Sequence, residues 1–355
     1  MHQDRLGVAV VGLGPWGENL ARVFAGLDRA RVVALCDERP DRLAALPELG
    51  DGPLRTRCLG EAIALDATAA VVIATAPASH AQLAGQALSA GKHVFIEKPM
   101  ARCSDDARQL MRHAERAGLR IMVGHILEYH PAFERLRELV EAGRLGRLSH
   151  IRCQRLGRSA RRHESVWWSL APHDLGLLRV LAGAEPQRLS VCARDGAPDD
   201  AVIAQLQFPG ELSARIEVSA VHPDKTRRLT VVGTERIAVF DDQEPRHKLR
   251  LFEPAPRRLG QSGCPYPDSP DCLGALPTVI GLRCWPVDVD RTEPLEREAR
   301  HFVDALLDGR PIRTDAANGL AVVELLEMGQ QSLECSAREV AARPHRPREP
   351  PLVPV

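Results

Sequence analysis

No excess of charge of either sign marks the 355-residue chain: 47 Lys and Arg are met by 47 Asp and Glu, a formal net charge of zero. A nucleic-acid binder ordinarily carries a basic excess, so no nucleic-acid partner is expected. A local basic pocket for a phosphorylated ligand stays open. No apolar run approaches the roughly 18 residues of a membrane helix, and no charged lead with a long apolar stretch marks a secretory signal. No membrane partner is expected either. None of the nine cysteines forms a CxxC pair. Cys36, Cys153 and Cys192 fall in apolar strand-like runs, where cysteine is a small buried hydrophobe. Cys264 and Cys272 sit in an irregular segment where pairing is the minor alternative. A reducing, cytoplasmic location fits this usage. No Cys/His cluster has zinc spacing, so no metal is expected, and no serine stands in a G-x-S-x-G elbow.

What is present is a globular profile, 44% hydrophobic and 26% charged, in a chain too long for one ordinary core. Residues 1–123 alternate strand and helix patterns, the signature of a doubly wound parallel sheet in an α/β Rossmann domain. Strands are predicted over Gly7–Val11, Val32–Cys36, Ala70–Thr75, His93–Ile96 and Arg120–Val123. Leu20, Val23, Phe24 and Leu27 give one helical stripe, and Leu83, Ala84, Ala87 and Leu88 another, stopped by Gly91. Ser104 is placed to cap a third helix that ends at Gly118. Beyond a helix over Ala132–Ala142 the period becomes two, with strands around 202–208, 216–220, 229–232, 237–240 and 249–252. This reads as an α+β domain, 124–335, with a large open, mostly antiparallel sheet. Its uncovered face implies a homodimer or homotetramer through the sheet. Residues 254–292 read as a long loop or lid, helices return over Leu295–Leu307 and Gly319–Leu333, and 336–355 reads as a disordered tail.

Gly12-Leu13-Gly14-Pro15-Trp16-Gly17 follows the first strand and opens a helix. Its glycines permit the tight turn, the approach of backbone to a pyrophosphate, and close helix packing. The helix N-terminus supplies free N–H groups and partial positive charge to phosphates. Three spaced glycines alone are a weak signal. Asp37, about 20 residues further at the end of the second strand, strengthens it by meeting the adenosine ribose hydroxyls. That carboxylate repels a 2′-phosphate, so NAD is favoured over NADP, with Arg39 leaving NADP the lesser alternative. Lys98, between Glu97 and Pro99, stands at the carboxyl end of a parallel strand, where open α/β sheets bind ligands. Partly desolvated there, a lysine exchanges protons near neutrality. His173, in Ala171-Pro172-His173-Asp174, is read as opening a helix, whose dipole disfavours its protonated form.

In Ile73-Ala74-Thr75-Ala76-Pro77 with His80, Gly91-Lys92-His93-Val94, Glu97-Lys98-Pro99, Val123-Gly124-His125 with Pro131, and the C-terminal His301-Phe302, Gly319-Leu320 and Ser332, the sequence resembles the glucose–fructose oxidoreductase/inositol dehydrogenase (Gfo/Idh/MocA) family. The resemblance implies catalysis by Lys98 and His173. It also implies a cofactor cleft lined by Thr75, Pro77, His80, Glu97 and Lys98. Trp168-Ser169-Leu170-Ala171-Pro172-His173-Asp174 resembles W-D-L-A-P-H-D of a nucleotide-sugar branch, departing at Ser169. Members of that branch are similar to dehydrogenases of the 3-hydroxyl of UDP-N-acetylglucosamine or its uronate. The candidate substrate contacts are Lys98, His125, Tyr129, Arg155, Arg162, Trp168 and His173, the arginines as forks for a diphosphate. Trp167 is weighed with Trp168 as a stacking platform. A polyol or inositol dehydrogenase is the alternative within enzymes. A non-catalytic regulatory protein that binds NAD and a sugar is the alternative outside them, prompted by Ser169.

Overall fold

A computed structural model describes residues 5–49, 52–158, 165–193, 200–254 and 282–339. The N-terminal layer is a sheet of β1 (Leu6–Val11), β2 (Ala30–Cys36), β3 (Leu54–Thr56), β4 (Ala70–Ile73), β5 (His93–Glu97) and β6 (Ile121–Gly124). All pairings are parallel, in the order β3-β2-β1-β4-β5-β6. Helices α1 (Pro15–Gly26), α2 (Pro40–Ala45), α3 (Leu59–Ala64), α4 (Pro77–Ser89) and α5 (Ser104–Ala117) connect them. Helices on both faces explain why every residue of β1 and β4 is buried and why these strands read as unbroken apolar runs. The order reverses between β1 and β4, and a crevice opens there at the carboxyl ends.

The three-residue edge strand β3 and the one-and-a-half-turn helices α2 and α3 were too short to give a period in the sequence. Ser104 differs from expectation. It is the first residue of α5 rather than its cap, and its N–H goes to Glu327 Oε1 at 2.9 Å. The helix start is thus satisfied by a carboxylate from another element. Gly118 does end α5, in the left-handed conformation at φ 64°.

The second layer holds β7 (Leu148–Arg158), β8 (Arg188–Ala193), β9 (Ala201–Gln207), β10 (Ser213–Ser219), β11 (Val221–Gly233), β12 (Ile237–Asp241), β13 (Leu249–Pro254) and β14 (Leu282–Pro286). Their order is β14-β13-β12-β11-β7-β10-β9-β8, antiparallel except for β7 beside β10. Strand β14 lies inside the stretch expected to be loop, paired to β13; residues 255–281 of that stretch, with Cys264 and Cys272, lie outside the described residues. Helices α6 (Pro131–Glu141), α7 (Val166–Ala182), α8 (Pro294–Leu307) and α9 (Ala316–Glu339) complete the chain. Helix α9 runs through Glu339, so residues 336–339 of the expected tail are helical, and the rest lies outside the described residues.

Alternation sets the sheet's two faces. Ile151, Cys153, Leu206, Ile216, Leu229 and Phe240 are buried in one core with residues of α6, α7 and α9. The opposite face carries polar side chains, among them Arg152 and Glu217, 3.1 Å apart across neighbouring strands. Helices α8 and α9 return to the first layer. Phe302 meets Phe24 and Phe95 edge-on, at centroid distances of 6.4 and 5.6 Å. Thr314 exchanges two bonds of 2.7 Å with the main chain of Val123. Among the described residues no helix is long and apolar enough to cross a membrane.

Candidate active site

The crevice begins at the glycine loop. Gly12 has φ 88°, and a Cβ there would strike Thr75 Cγ2 at 2.7 Å. A Cβ on Gly17 would lie 1.7 Å from the Gly12 carbonyl, so α1 packs this close only without a side chain. Gly14 is the contrast. A Cβ there meets nothing nearer than Arg42 Nη1 at 3.9 Å, leaving the loop's front open to a ligand. That is the space a pyrophosphate needs at a helix N-terminus. Asp37 is buried at the end of β2, accepting from the Leu13 amide at 2.6 Å, the Arg39 amide at 2.9 Å and Arg42 Nη1 at 3.2 Å. Burial pushes its carboxyl up, but those donors together outweigh it and hold the pKa below the usual value. The Arg39 guanidinium itself pairs with Asp41 at 2.5 Å. These features fit an adenine dinucleotide whose ribose meets an ionised acid.

The far half of the crevice lies over the ends of β5 and β6. Lys98 Nζ donates to the Ser169 carbonyl at 2.7 Å, which joins the first layer to α7. Glu97 is buried; its Oε1 accepts from the Trp16 indole at 2.5 Å and its Oε2 from the Lys98 amide at 3.3 Å. Trp16 itself is 40% exposed and spans from the glycine loop to β5. Thr75 and Pro77 sit where β4 meets α4, with the Thr75 hydroxyl 2.7 Å from Ser79 Oγ. His80 is fully buried, its ring nitrogens 2.9 Å from the Pro99 carbonyl and 3.1 Å from that of Thr75. It therefore pins the β4 and β5 ends together from behind the cleft.

His173 is placed differently from expectation. Helix α7 starts at Val166, with Ser165 accepting from the Trp168 amide at 3.5 Å, so His173 lies two turns inside. Pro172 is an interior proline, whereas its sequence position suggested a first-turn residue. The helix dipole therefore has no part in neutralising His173. Burial is the main cause of a pKa far below the ordinary value, with the Lys98 and Arg155 charges adding to it. Its Nδ1 is enclosed with no hydrogen-bond partner among the described residues. His125, at the end of β6, is likewise buried with both nitrogens unpartnered. Its pKa falls to about 3 through burial, then Arg179 and Lys98. The structure thus gathers Lys98, His125 and His173 and keeps both imidazoles neutral beside an ammonium.

Other expected contacts are dispersed. Tyr129 packs inside the core, its hydroxyl 3.0 Å from Thr314 Oγ1 and its ring 4.7 Å beneath Arg313. It has no surface with which to touch a substrate. Arg155 is buried, and its fork is taken by Asp174, at 3.1 Å from Nε and 2.9 Å from Nη2. Trp168 is half-buried at the start of α7, while Trp167 is wholly buried and donates to the Leu326 carbonyl at 2.8 Å. Arg162 lies outside the described residues.

A second guanidinium, not singled out from the sequence, lies next to Arg155. A narrow pocket is lined by Arg155, Asp174, Arg227, Arg228, Phe240 and Asp242. Arg228 pairs with Asp241 at 2.6 Å. Arg227 bonds instead to main-chain carbonyls, Thr226 at 2.8 Å and Leu156 at 2.5 Å. Half-buried and next to Arg155, its pKa is lowered, burial being the larger cause. Only the adjacent Arg227-Arg228 pair in the sequence hinted at it.

A crevice at the β1/β4 switch point, an acid at the end of β2 and a lysine at the end of β5 define an NAD-binding oxidoreductase. Residues 6–125 match the profile described as an oxidoreductase family with NAD-binding Rossmann fold, and 133–239 match the Gfo/Idh/MocA C-terminal domain. The chain belongs to the Gfo/Idh/MocA oxidoreductase family. It is 27% identical over 319 residues to the UDP-N-acetylglucosamine 3-dehydrogenase of Acidithiobacillus ferrooxidans, covering 88% of this chain and 93% of that protein. A solved structure of that enzyme superposes with TM-score 0.78 at 24% identity, covering 94% of this chain and 99% of the other. An inositol 2-dehydrogenase of Rhizobium meliloti is 28% identical over 252 residues, 66% of this chain and 76% of that one. GenD2 from gentamicin A biosynthesis, solved in complex with NAD, has TM-score 0.75 at 25% identity, with 95% and 96% covered. The cofactor is NAD.

Proposed function

We propose that this protein oxidises a secondary hydroxyl of a nucleotide-linked sugar, the 3-hydroxyl of a UDP-N-acetylhexosamine. The observation that carries the reading is Arg227, a guanidinium bonded to carbonyls rather than to a carboxylate, whose charge is felt by His173. Guanidinium binds phosphate oxygens through two parallel N–H bonds, so Arg227 is suited to grip a phosphate oxygen of a sugar diphosphate. The likeness to UDP-N-acetylglucosamine 3-dehydrogenase over nearly the whole chain supports the same substrate class.

Bound NAD supplies the hydride acceptor. The chain's own groups supply the rest. His173, neutral because it is desolvated beside Lys98, accepts the hydroxyl proton, and the Lys98 ammonium stabilises the developing oxyanion. The Ser169 carbonyl holds the ammonium in place. Mixing protein and NAD with UDP-N-acetylglucosamine, its uronate, free N-acetylglucosamine and myo-inositol, and following absorbance at 340 nm, tests the proposal. Turnover restricted to UDP-sugars is expected. Turnover of inositol alone would instead support the reading drawn from the Rhizobium relative. Cofactor and sugar binding without turnover would point to a regulatory protein.

We further propose a boundary between cofactor and substrate domains at residues 123 and 124, at the last residue of β6, just ahead of the segment leading into α6. The uncovered sheet face is the proposed contact in a homo-oligomer; light scattering on wild type and an Arg152→Glu variant tests it.

A further inference from the structure

Trp16 is out of keeping with the glycine loop that carries it. The loop is bare where backbone meets a pyrophosphate, yet Trp16 is one of the few large apolar side chains left exposed among the described residues, at 40%. It is the second residue of α1, and its indole N–H donates to Glu97 Oε1 at 2.5 Å, 81 residues further along the chain. Strand β4 lies between β1 and β5, so this one bond carries the side chain from the loop after β1 past the end of β4. It therefore borders the crevice at the switch point. Alternation gives the side. Phe95, two residues before Glu97 on β5, packs on Phe24 of α1 and Phe302 of α8, and Glu97 shares that face. The bridge is the wall of the crevice on the α1 side.

The carboxylate end of the bridge is fixed. Glu97 is buried, and its Oε2 accepts from the Lys98 amide at 3.3 Å. Its carboxylate fits only because residue 124 is glycine, where a Cβ would come within 2.8 Å of Oε1. Glu298 of α8, wholly buried, stands near it on the same side. The indole has a single N–H, so its bond to the carboxylate is what sets the direction of an otherwise exposed ring. Ordering one such side chain at the moment of binding lowers affinity by about two- to tenfold, and a ring held in advance avoids that loss.

We propose that Glu97 is a positioning residue for the cofactor, holding the Trp16 indole as a fixed wall for the half of the dinucleotide beyond the pyrophosphate. With the pyrophosphate on the glycine loop and the adenosine ribose at Asp37 on β2, the other half leaves in the opposite direction, past β4 toward β5. That path runs along the indole. The same carboxylate holds the main chain of Lys98, so the wall and the reactive lysine keep one registry.

The test compares NAD with ADP, which ends at the pyrophosphate and does not reach the wall. Dissociation constants of both are measured by calorimetry at one pH, with thermal melts to show that each variant is folded. Trp16→Phe keeps a ring at an exposed position and loses only the N–H. It should weaken NAD by about two- to tenfold and leave ADP unchanged. Equal weakening of the two ligands, or wild-type affinity for both, overturns the proposal. Glu97→Met removes the acceptor and should give the same selective loss, whereas Glu97→Gln, which retains a carbonyl oxygen for the indole, should keep the ratio of the two constants near wild type. In the Trp16→Phe/Glu97→Met double variant the losses should not add, because both break one bond. Additive losses, or a wild-type ratio in Glu97→Met, overturn the assignment. Asp37→Ala should weaken ADP and NAD alike, which separates the two ends of the crevice.

Discussion

The Lys98 ammonium is fixed to α7 by the main chain of Ser169, its Nζ 2.7 Å from that residue's carbonyl oxygen. The side chain that departs from the nucleotide-sugar pattern is therefore not the group that holds the lysine. Ser169→Ala should change the rate of NADH formation by less than about threefold. Lys98→Met removes the ammonium and with it the bond to that carbonyl, and should lower the rate by about 10²–10⁴, the usual range for a general acid or base. Steady-state rates with a UDP-sugar measure both. A Ser169→Ala loss as large as that of Lys98→Met would assign the hydroxyl a direct part.

Asp37 organises its end of the crevice with three donors, of which Arg42 Nη1 is one at 3.2 Å. Asp37→Ala removes the acceptor for the ribose hydroxyls and frees Arg42, 36% exposed at its side chain, to meet a 2′-phosphate. The expected outcome is NAD binding weaker by about tenfold and NADP binding stronger, one charged hydrogen bond being lost and one charge repulsion removed. Fluorescence titration with each cofactor checks it. An unchanged NAD-to-NADP preference would mean the ribose lies elsewhere.

Arg155 and Arg227 line one pocket and should respond to mutation in opposite ways. Arg155→Gln leaves Asp174 buried without its partner, 5% exposed at its side chain, so the fold should lose about 3–5 kcal/mol. Arg227→Gln gives up only bonds to carbonyls that the glutamine amide partly restores, and should melt near wild type. It should nevertheless weaken UDP binding by about tenfold or more, the scale of one charged phosphate contact, and leave NAD binding intact. Thermal melts and UDP titrations on both variants separate the roles. Wild-type UDP affinity in Arg227→Gln would remove this arginine from the substrate site.

Legibility of the molecule followed the range over which each signal acts. Local ones were plain: the three glycines, Asp37 at a strand end, the alternation in β9, β10 and β12, and Gly118 at a helix end depend on neighbours in the chain. The position of His173 was not, because Pro172 reads locally as a first-turn residue while Ser165 and the buried Trp167 start α7 earlier. Arg155 and Tyr129 looked available for substrate because their partners, Asp174 and Thr314, lie 19 and 185 residues away. Glu298 gave no signal at all. On its helix it is one charge among several, and only the packing of α8 on the first layer buries it.

Glu128, in the 3-10 turn over Ile126–Tyr129, and its neighbour His125 are both buried, and each makes the protein's stability depend on pH. Glu128 is pushed up to about 7, chiefly by burial, from an ordinary value near 4.5. Between those pH values the folded protein keeps a proton that the unfolded chain has released, so its stability falls as pH rises through that window. His125 acts in the opposite sense. Its folded pKa of about 3 lies below the ordinary 6.5, so it adds stability as pH rises toward 6.5 and nothing beyond. The wild-type curve alone mixes the two. Glu128→Gln isolates the carboxyl, since the amide oxygen still accepts from Asn318 and carries no charge at any pH. Relative to wild type, this variant should gain stability on the order of 2 kcal/mol between pH 5 and pH 8. Urea unfolding midpoints at the two pH values measure the gain, and a difference that stays constant would show that Glu128 is ionised at no cost to the fold.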